Sequence, residues 1–184
     1  EAGTFYAVAL LGFDRDENLF LDDNGWNARY VPASQDRGPF LLGLREGADG
    51  EGPMMLVEPS HPRLSRSAGE PLFLPHGGNA PVLEHYLQVL RTLHGGLGLN
   101  DEVFAAWLEA GILAPVKVDV QIDDATGYDI PDLFSISGEA LAGLDGAALA
   151  SLNARGYLGM AFHVLASLGN MPHLIALKNR KRGA

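Results

Sequence analysis

Residues 112–122 read Ile-Leu-Ala-Pro-Val-Lys-Val-Asp-Val-Gln-Ile. Val116, Val118, Val120 and Ile122 fall on one side of an extended chain, and Lys117, Asp119 and Gln121 on the other. Strict alternation of this kind predicts a half-buried strand. Asp123-Asp124-Ala125-Thr126-Gly127 predicts a turn, and Tyr128 to Ile136 a returning partner strand. The chain therefore builds sheet by hairpins and not by strand–helix–strand crossovers, which points to an α+β fold.

The same reading extends towards the N-terminus. Thr4–Leu11, Asn18–Leu21 and Trp26–Val31 predict strands, with Asn24-Gly25 as a hairpin turn in which both residues tolerate positive φ. Pro39–Leu42 and Met54–Val57 predict two more, separated by the Glu46–Pro53 loop. Glu70–Leu74 reads as an edge strand because of Pro71. Helices follow. Val82, Leu83, Tyr86, Leu87, Leu90 and Leu93 recur at helical spacing behind Pro81, and His94-Gly95-Gly96 closes that run. Asn100 is placed to cap a second helix, Asp101–Ala110, that ends at Gly111. Ser137–Ala142, Asp145–Ala154, Tyr157–Leu168 and Pro172–Lys181 read as a C-terminal helical group. The expected architecture is one domain, residues 1–184, of N-terminal antiparallel hairpins, a helical pair, a second hairpin and terminal helices.

Composition narrows the chemistry. The 184 residues contain no cysteine, which excludes disulfides, thiolate metal sites and a cysteine nucleophile, and fits a reducing compartment. Thirteen basic residues stand against 23 acidic ones, a net charge of −10, so most of the surface repels nucleic acid and anionic lipid. No apolar run is expected to reach the roughly 18–20 residues of a membrane helix, so no membrane insertion is expected. The reading places the chain in the cytoplasm. The cell envelope or surface is the alternative, since the chain opens at Glu1 inside an expected strand.

Motif by motif, catalysis finds little support. Asp14, Asp16, Glu17, Asn18, Asp22 and Asp23 suggest a calcium loop, but a loop begun at Asp14 has Leu19 where glycine is needed and Gly25 where glutamate is needed. Acids at a hairpin tip are more simply read as solvated. The six histidines form no His-x-x-x-His pair; His163, on an apolar helix, reads as a core histidine and His76, in a glycine loop, as a candidate ligand contact. Gly-x-Ser-x-Gly is missing, and His94-Gly95-Gly96-Leu97-Gly98 ends a helix instead of opening one onto a phosphate. The Ser60-His61 and Ser65 loop shows no pointed arrangement. No metal and no cofactor are expected.

Two sets of residues remain as binding candidates. Trp26, Arg29, Tyr30 and Arg37 either lock the hairpin to the core or form a platform for a peptide or carboxylate; the usual burial of Trp and Tyr favours the lock. Lys178, Arg180, Lys181 and Arg182 form a basic end, read as a solubilising helix terminus or as a docking tail for an acidic partner.

The hairpin region also carries a resemblance. Glu17-Asn18-Leu19-Phe20, Asp23-Asn24-Gly25-Trp26, Arg29-Tyr30-Val31-Pro32-Ala33, Arg37 and Pro39-Phe40 resemble the bacterial SapC family. Softer matches continue at Pro62-Arg63-Leu64-Ser65, Glu70-Pro71-Leu72-Phe73, Arg155-Gly156-Tyr157-Leu158, and Ser167-Leu168-Gly169-Asn170 before Leu174. The family takes its name from a surface-layer-associated protein and is distinct from the membrane permease of the same name. Its members usually carry a further N-terminal segment. The resemblance implies a non-enzymatic protein of the surface layer or of envelope and uptake machinery, acting on a protein or peptide partner. Its alternative is an accessory of oxidative modification beside cupin-like or flavin-dependent enzymes, for which His61, His76 or His85 with Glu58 or Glu84 are the candidate residues. No established catalytic residues come with the family, so none is assigned.

Overall fold

The computed structural model describes residues 4–45, 52–123 and 126–183. Residues 46–51 of the expected Glu46–Pro53 loop, and Asp124 and Ala125 of the expected turn, lie outside them. In chain order the elements are β1 (Leu21–Asp22), β2 (Gly25–Trp26), α1 (Ala33–Asp36), β3 (Phe40–Arg45), β4 (Gly52–Val57), α2 (Pro81–Glu109), β5 (Leu113–Asp123), β6 (Thr126–Ile136), α3 (Gly138–Ala142), α4 (Gly146–Ala154), α5 (Tyr157–Ser167), a 3-10 turn (Leu168–Asn170) and α6 (Met171–Gly183). The strands pair only as antiparallel hairpins, β1 with β2, β3 with β4 and β5 with β6, so the fold is α+β. Contacts divide the chain into two compact units, one of Glu1–Asn27 with Asn100–Ala184, the other of Ala28–Leu99.

In the first unit, the β5–β6 ladder runs from Leu113↔Ile136 to Asp123↔Thr126, with irregularities between Val116 and Val118 and between Gln121 and Asp123. Val118 and Val120 are buried, as the alternation requires. Two strands alone are marginal in water. Here Ile136 joins a core of Val103, Ala106, Trp107, Ile112, Leu141, Leu152, Tyr157 and Ala161. Trp107 settles its polar edge by donating from Nε1 to the Tyr157 carbonyl at 3.2 Å, and the Tyr157 hydroxyl donates to Glu102 at 3.0 Å.

Local signals hold well at helix ends. Gly111 takes φ +65° behind α2; its N–H donates to the Leu108 carbonyl and that of Ile112 to the Trp107 carbonyl. This pair of bonds is a Schellman ending, and fully buried Ile112 supplies its apolar contact. Ser137 and Asp145 cap α3 and α4 by accepting from the Ala140 and Ala148 amides.

Several expectations are corrected. Residues 4–11 form no ladder, because no strand among the described residues pairs with them; Phe5 is held instead by ring contacts with Phe104 and Phe134, and its carbonyl accepts from Asn100 Nδ2 at 2.9 Å. The first hairpin is two residues long on each side, with Asp23-Asn24 as its turn and the positive φ on Gly25 alone (+104°), so the strand expected over Trp26–Val31 ends at Trp26. Glu70–Leu74 contributes one isolated bridge, Phe73↔Asn79. The break at His94-Gly95-Gly96 does not occur. α2 is a single 29-residue helix, and Asn100 lies inside it and caps nothing. The glycines weaken that stretch by about 1 kcal/mol each, but packed faces on both sides, Leu83 and Leu90 before and Val103 and Trp107 after, carry the helix through.

His163 is exposed, since α5 buries Tyr157 and Ala161 and residue 163 lies some 200° around from Ala161. Continuity also changes the membrane reading. Tyr157–Gly183 is long and apolar enough by length and composition to cross a membrane, with mean hydropathy 1.3 over its best window, because Gly169 and Pro172 do not end the helical path.

In the second unit, β3 and β4 pair from Phe40↔Val57 to Arg45↔Gly52. Phe40, Leu42 and Met55 share one face and pack with Leu83, Leu87 and Leu90 of α2. Leu41 and Leu56, paired on the opposite face, are exposed.

Candidate functional site

The second unit contains an open cleft of about 510 Å³, within the usual range of ligand sites. Its floor is Phe40, Leu72, Val82 and Tyr86, and its rim is the loop from Arg63 to Glu70. Each part has a local cause. α1 ends at Asp36 with Arg37 as its C-cap, and Gly38 then takes φ +55°, which turns Pro39-Phe40 into β3. Arg37 holds that turn by donating from Nη1 to the Phe40 carbonyl at 2.8 Å. The Phe40 and Tyr86 rings lie 4.7 Å apart at 42°. Ala80 donates its amide to the Leu72 carbonyl at 2.9 Å, which sets the Leu72 strap against the start of α2.

The rim is ordered by its own hydrogen bonds. The Ser65 hydroxyl accepts from the Ser67 and Ala68 amides at 3.2 and 3.1 Å. His61 Nδ1 accepts from the Arg63 amide at 3.1 Å. Arg63 reaches over the floor and donates from Nη2 to the Tyr86 hydroxyl at 3.3 Å. A Cβ on Gly38 would lie in ordinary contact with Arg63 Nη1 at 3.4 Å and the Tyr86 ring at 3.5 Å, so it is the φ of +55° that favours glycine there. Arg63 and Arg66 make no ion pair among the described residues, and Glu70 is the acid on the same lining. This arrangement can bind; the Ser65 hydroxyl has no base hydrogen-bonded to it among the described residues.

The proposed site residues go elsewhere. Trp26 is half-buried in the first unit, its ring 6.3 Å from that of Phe20. Arg29 and Tyr30 belong to the second unit and are exposed, Tyr30 at 70%, so burial does not lock them. Arg37 supports the cleft from behind through the Phe40 carbonyl. His76 is exposed in a turn with Gly77 and Gly78, both at positive φ, and does not line the cleft. The histidine and acid candidates are each engaged locally: His85 with Asp36 at 3.0 Å, Glu84 with Asn79 at 2.6 Å, Glu58 with Ser60 at 3.5 Å, and His61 with the Arg63 amide. No group of three metal-binding side chains occurs among the described residues.

In the first unit the basic end meets the acidic cluster. Lys178 is buried and pairs with Asp14 and Glu17; Lys181 reaches Glu17 at 3.3 Å; Arg182 donates to Thr126 Oγ1 at 3.3 Å; Arg180 is exposed. Glu17 Oε2 also accepts the Phe13 amide at 3.0 Å and the Asp14 amide at 3.3 Å. Burial alone would raise the Glu17 carboxyl, but Lys178, the two amides and Lys181 outweigh it and hold it down at about 2. The Lys178 hydrogen bond lowers Asp14 against its own desolvation. Burial opposes the charge on Lys178, yet Asp14, Glu17 and Tyr128 raise its pKa overall. Two of the acids that suggested calcium, Asp14 and Glu17, thus receive an ammonium, and Lys178 is buried against them.

Three of the sequence blocks that carry the resemblance, Pro39-Phe40, Arg63-Leu64-Ser65 and Glu70-Pro71-Leu72, converge on the one cleft. The SapC family model matches residues 1–174. The chain belongs to the SapC family. No curated protein and no solved structure matches it. Sequence reasoning missed Arg63, Arg66 and Tyr86 of this SapC chain as lining one cleft. Tyr86 reads as part of an apolar helix face, and the arginines as loop solvation. The block Pro62-Arg63-Leu64-Ser65 was the available signal.

Proposed function

We propose that this SapC-family chain is a binding protein with no chemistry of its own, holding a peptide or protein segment in the Arg63–Tyr86 cleft as part of the surface layer or of envelope and uptake machinery. The observation that carries the reading is the cleft itself: an apolar floor, two rim arginines that make no ion pair among the described residues, and a rim loop held by its own hydrogen bonds. Such a combination of apolar surface and a few placed polar groups is how ligand sites gain affinity and orientation. The envelope setting is supported by the SapC resemblance.

Selection of a displayed random peptide library against the full chain tests this. Wild type should enrich related sequences, and Ala68→Trp, which fills the cleft from an exposed loop position, should lose them. Equal enrichment by both proteins, or none by wild type, overturns the cleft as the binding site.

A further inference from the structure

We propose that the cleft recognises a carboxylate attached to an apolar body, with Arg63 and Arg66 on the carboxylate and Phe40, Leu72, Val82 and Tyr86 beneath the apolar part. This assignment rests on the cleft being the binding site, and it names the chemistry that site selects.

The sign of the ligand follows from the arginines. Two guanidiniums, Arg63 and Arg66, stand against one carboxylate, Glu70, on the lining, so the cleft is net positive in a chain with 23 acids and 13 bases. Arg37 is committed to the Phe40 carbonyl, whereas Arg63 and Arg66 make no ion pair among the described residues. A guanidinium has five N–H donors, and the structure shows one of Arg63's engaged, on Tyr86. The others remain for a planar, bidentate acceptor, which a carboxylate is. The Ser65 turn between the two arginines limits the freedom of the backbone that carries them, so less ordering remains at binding.

The charge of the ligand follows from Glu70 and from the net charge. Glu70 on the same lining repels a second negative charge, and the −10 chain disfavours polyanions at a distance. Arg63 and Arg66 against Glu70 leave one net positive charge on the lining, which a single carboxylate neutralises. The apolar floor, with its tilted Phe40–Tyr86 pair, suits an aromatic or branched body next to the acid. Such a carboxylate comes either from a free small acid or from the C-terminus of a peptide.

The test is calorimetric titration of the full chain at low salt with five probes: 3-phenylpropionate, its primary amide, inorganic phosphate, an aromatic-terminated tripeptide with a free C-terminus, and the same tripeptide amidated. The acids should bind at least tenfold more tightly than their amides, and Arg66→Gln should remove that difference. Tighter binding of 3-phenylpropionate than of the free tripeptide identifies a small acid as the source, and the reverse order identifies a peptide C-terminus. Equal binding of acid and amide, or tighter binding of phosphate than of the acids, overturns the carboxylate assignment. If the amidated tripeptide binds wild type as tightly as the free one, and neither binds Ala68→Trp, the cleft stands and only the carboxylate falls. If no probe binds and the peptide selection also fails, both fall.

Discussion

Lys178 Nζ lies 2.8 Å from Oε1 of Glu17, 161 residues earlier in the chain, and the two side chains are 6% and 7% exposed. The pair fastens the segment around residues 13–17 to α6. Gly12 makes the fold-back feasible, since a Cβ there would stand 2.7 Å from Glu17 Cγ.

Removing one partner of such a pair strands the other. Lys178→Met should destabilise the first unit by about 3 kcal/mol, because Glu17 is left buried without its counter-charge. The double variant Lys178→Met with Glu17→Gln should recover part of that loss. Urea unfolding of the three proteins measures both numbers, and strictly additive losses would show that the pair is not coupled.

Acid should act on the same contact. The Glu17 carboxyl titrates at about 2 in the folded chain against an ordinary 4.5, so its contribution is present above 4.5 and is lost as pH falls from there through about 2. The difference corresponds to about 3 kcal/mol. Stability of wild type relative to Glu17→Gln should therefore shrink between pH 5 and pH 2, to be followed by chemical denaturation at stepped pH. Lys178, raised above its ordinary 10.5, keeps its contribution below that pH and begins to lose it only above. A constant gap between the two proteins from pH 5 to pH 2 would contradict the assignment.

Glycine substitutions should have opposite signs in two places. Gly96 lies within α2 with nothing inside 4 Å of an added Cβ, so Gly96→Ala should stabilise by about 1 kcal/mol and raise helicity by far-UV circular dichroism. Gly38 sits at φ +55°, where an added Cβ makes only ordinary contact with Arg63 Nη1 at 3.4 Å. Gly38→Ala should cost about 1 kcal/mol in urea unfolding, from the backbone alone. A variant of undiminished stability would show that glycine is not required there.

Ser135 carries a buried hydroxyl with no hydrogen-bond partner among the described residues. Ser135→Ala removes a desolvated polar group and almost no volume. Thermal unfolding should show it neutral or more stable by up to about 1 kcal/mol. A clear loss of stability would reveal a partner for that hydroxyl.

What could be read from the sequence was what neighbouring residues settle among themselves. Ser137 and Asp145 announce helix starts because the cap and the amide it accepts from are three residues apart. The β5–β6 alternation was legible for the same reason: a strand with one buried face writes its period into every second residue. The N-terminal strand over residues 4–11 has the right composition and failed, because a strand exists only with a partner and composition does not say whether one is near.

The candidate site was less legible. The arginine rim and Tyr86 are separated by a turn-rich loop whose path is set by distant contacts such as Ala80 with the Leu72 carbonyl. Each residue alone reads as solvated loop or helix face.

The sequence by itself determined the hairpin-built α+β class, the helix ends at Gly111, Ser137 and Asp145, and the SapC membership, since all of these depend on local pattern or on matching words along the chain. Tertiary structure alone decided that α2 runs through its glycines, that Lys178 lies buried on Glu17, and that Arg63, Arg66 and Tyr86 share one cleft. Those outcomes depend on which surfaces find one another after collapse. Packing free energy collected over many contacts outweighs the preference of any single residue.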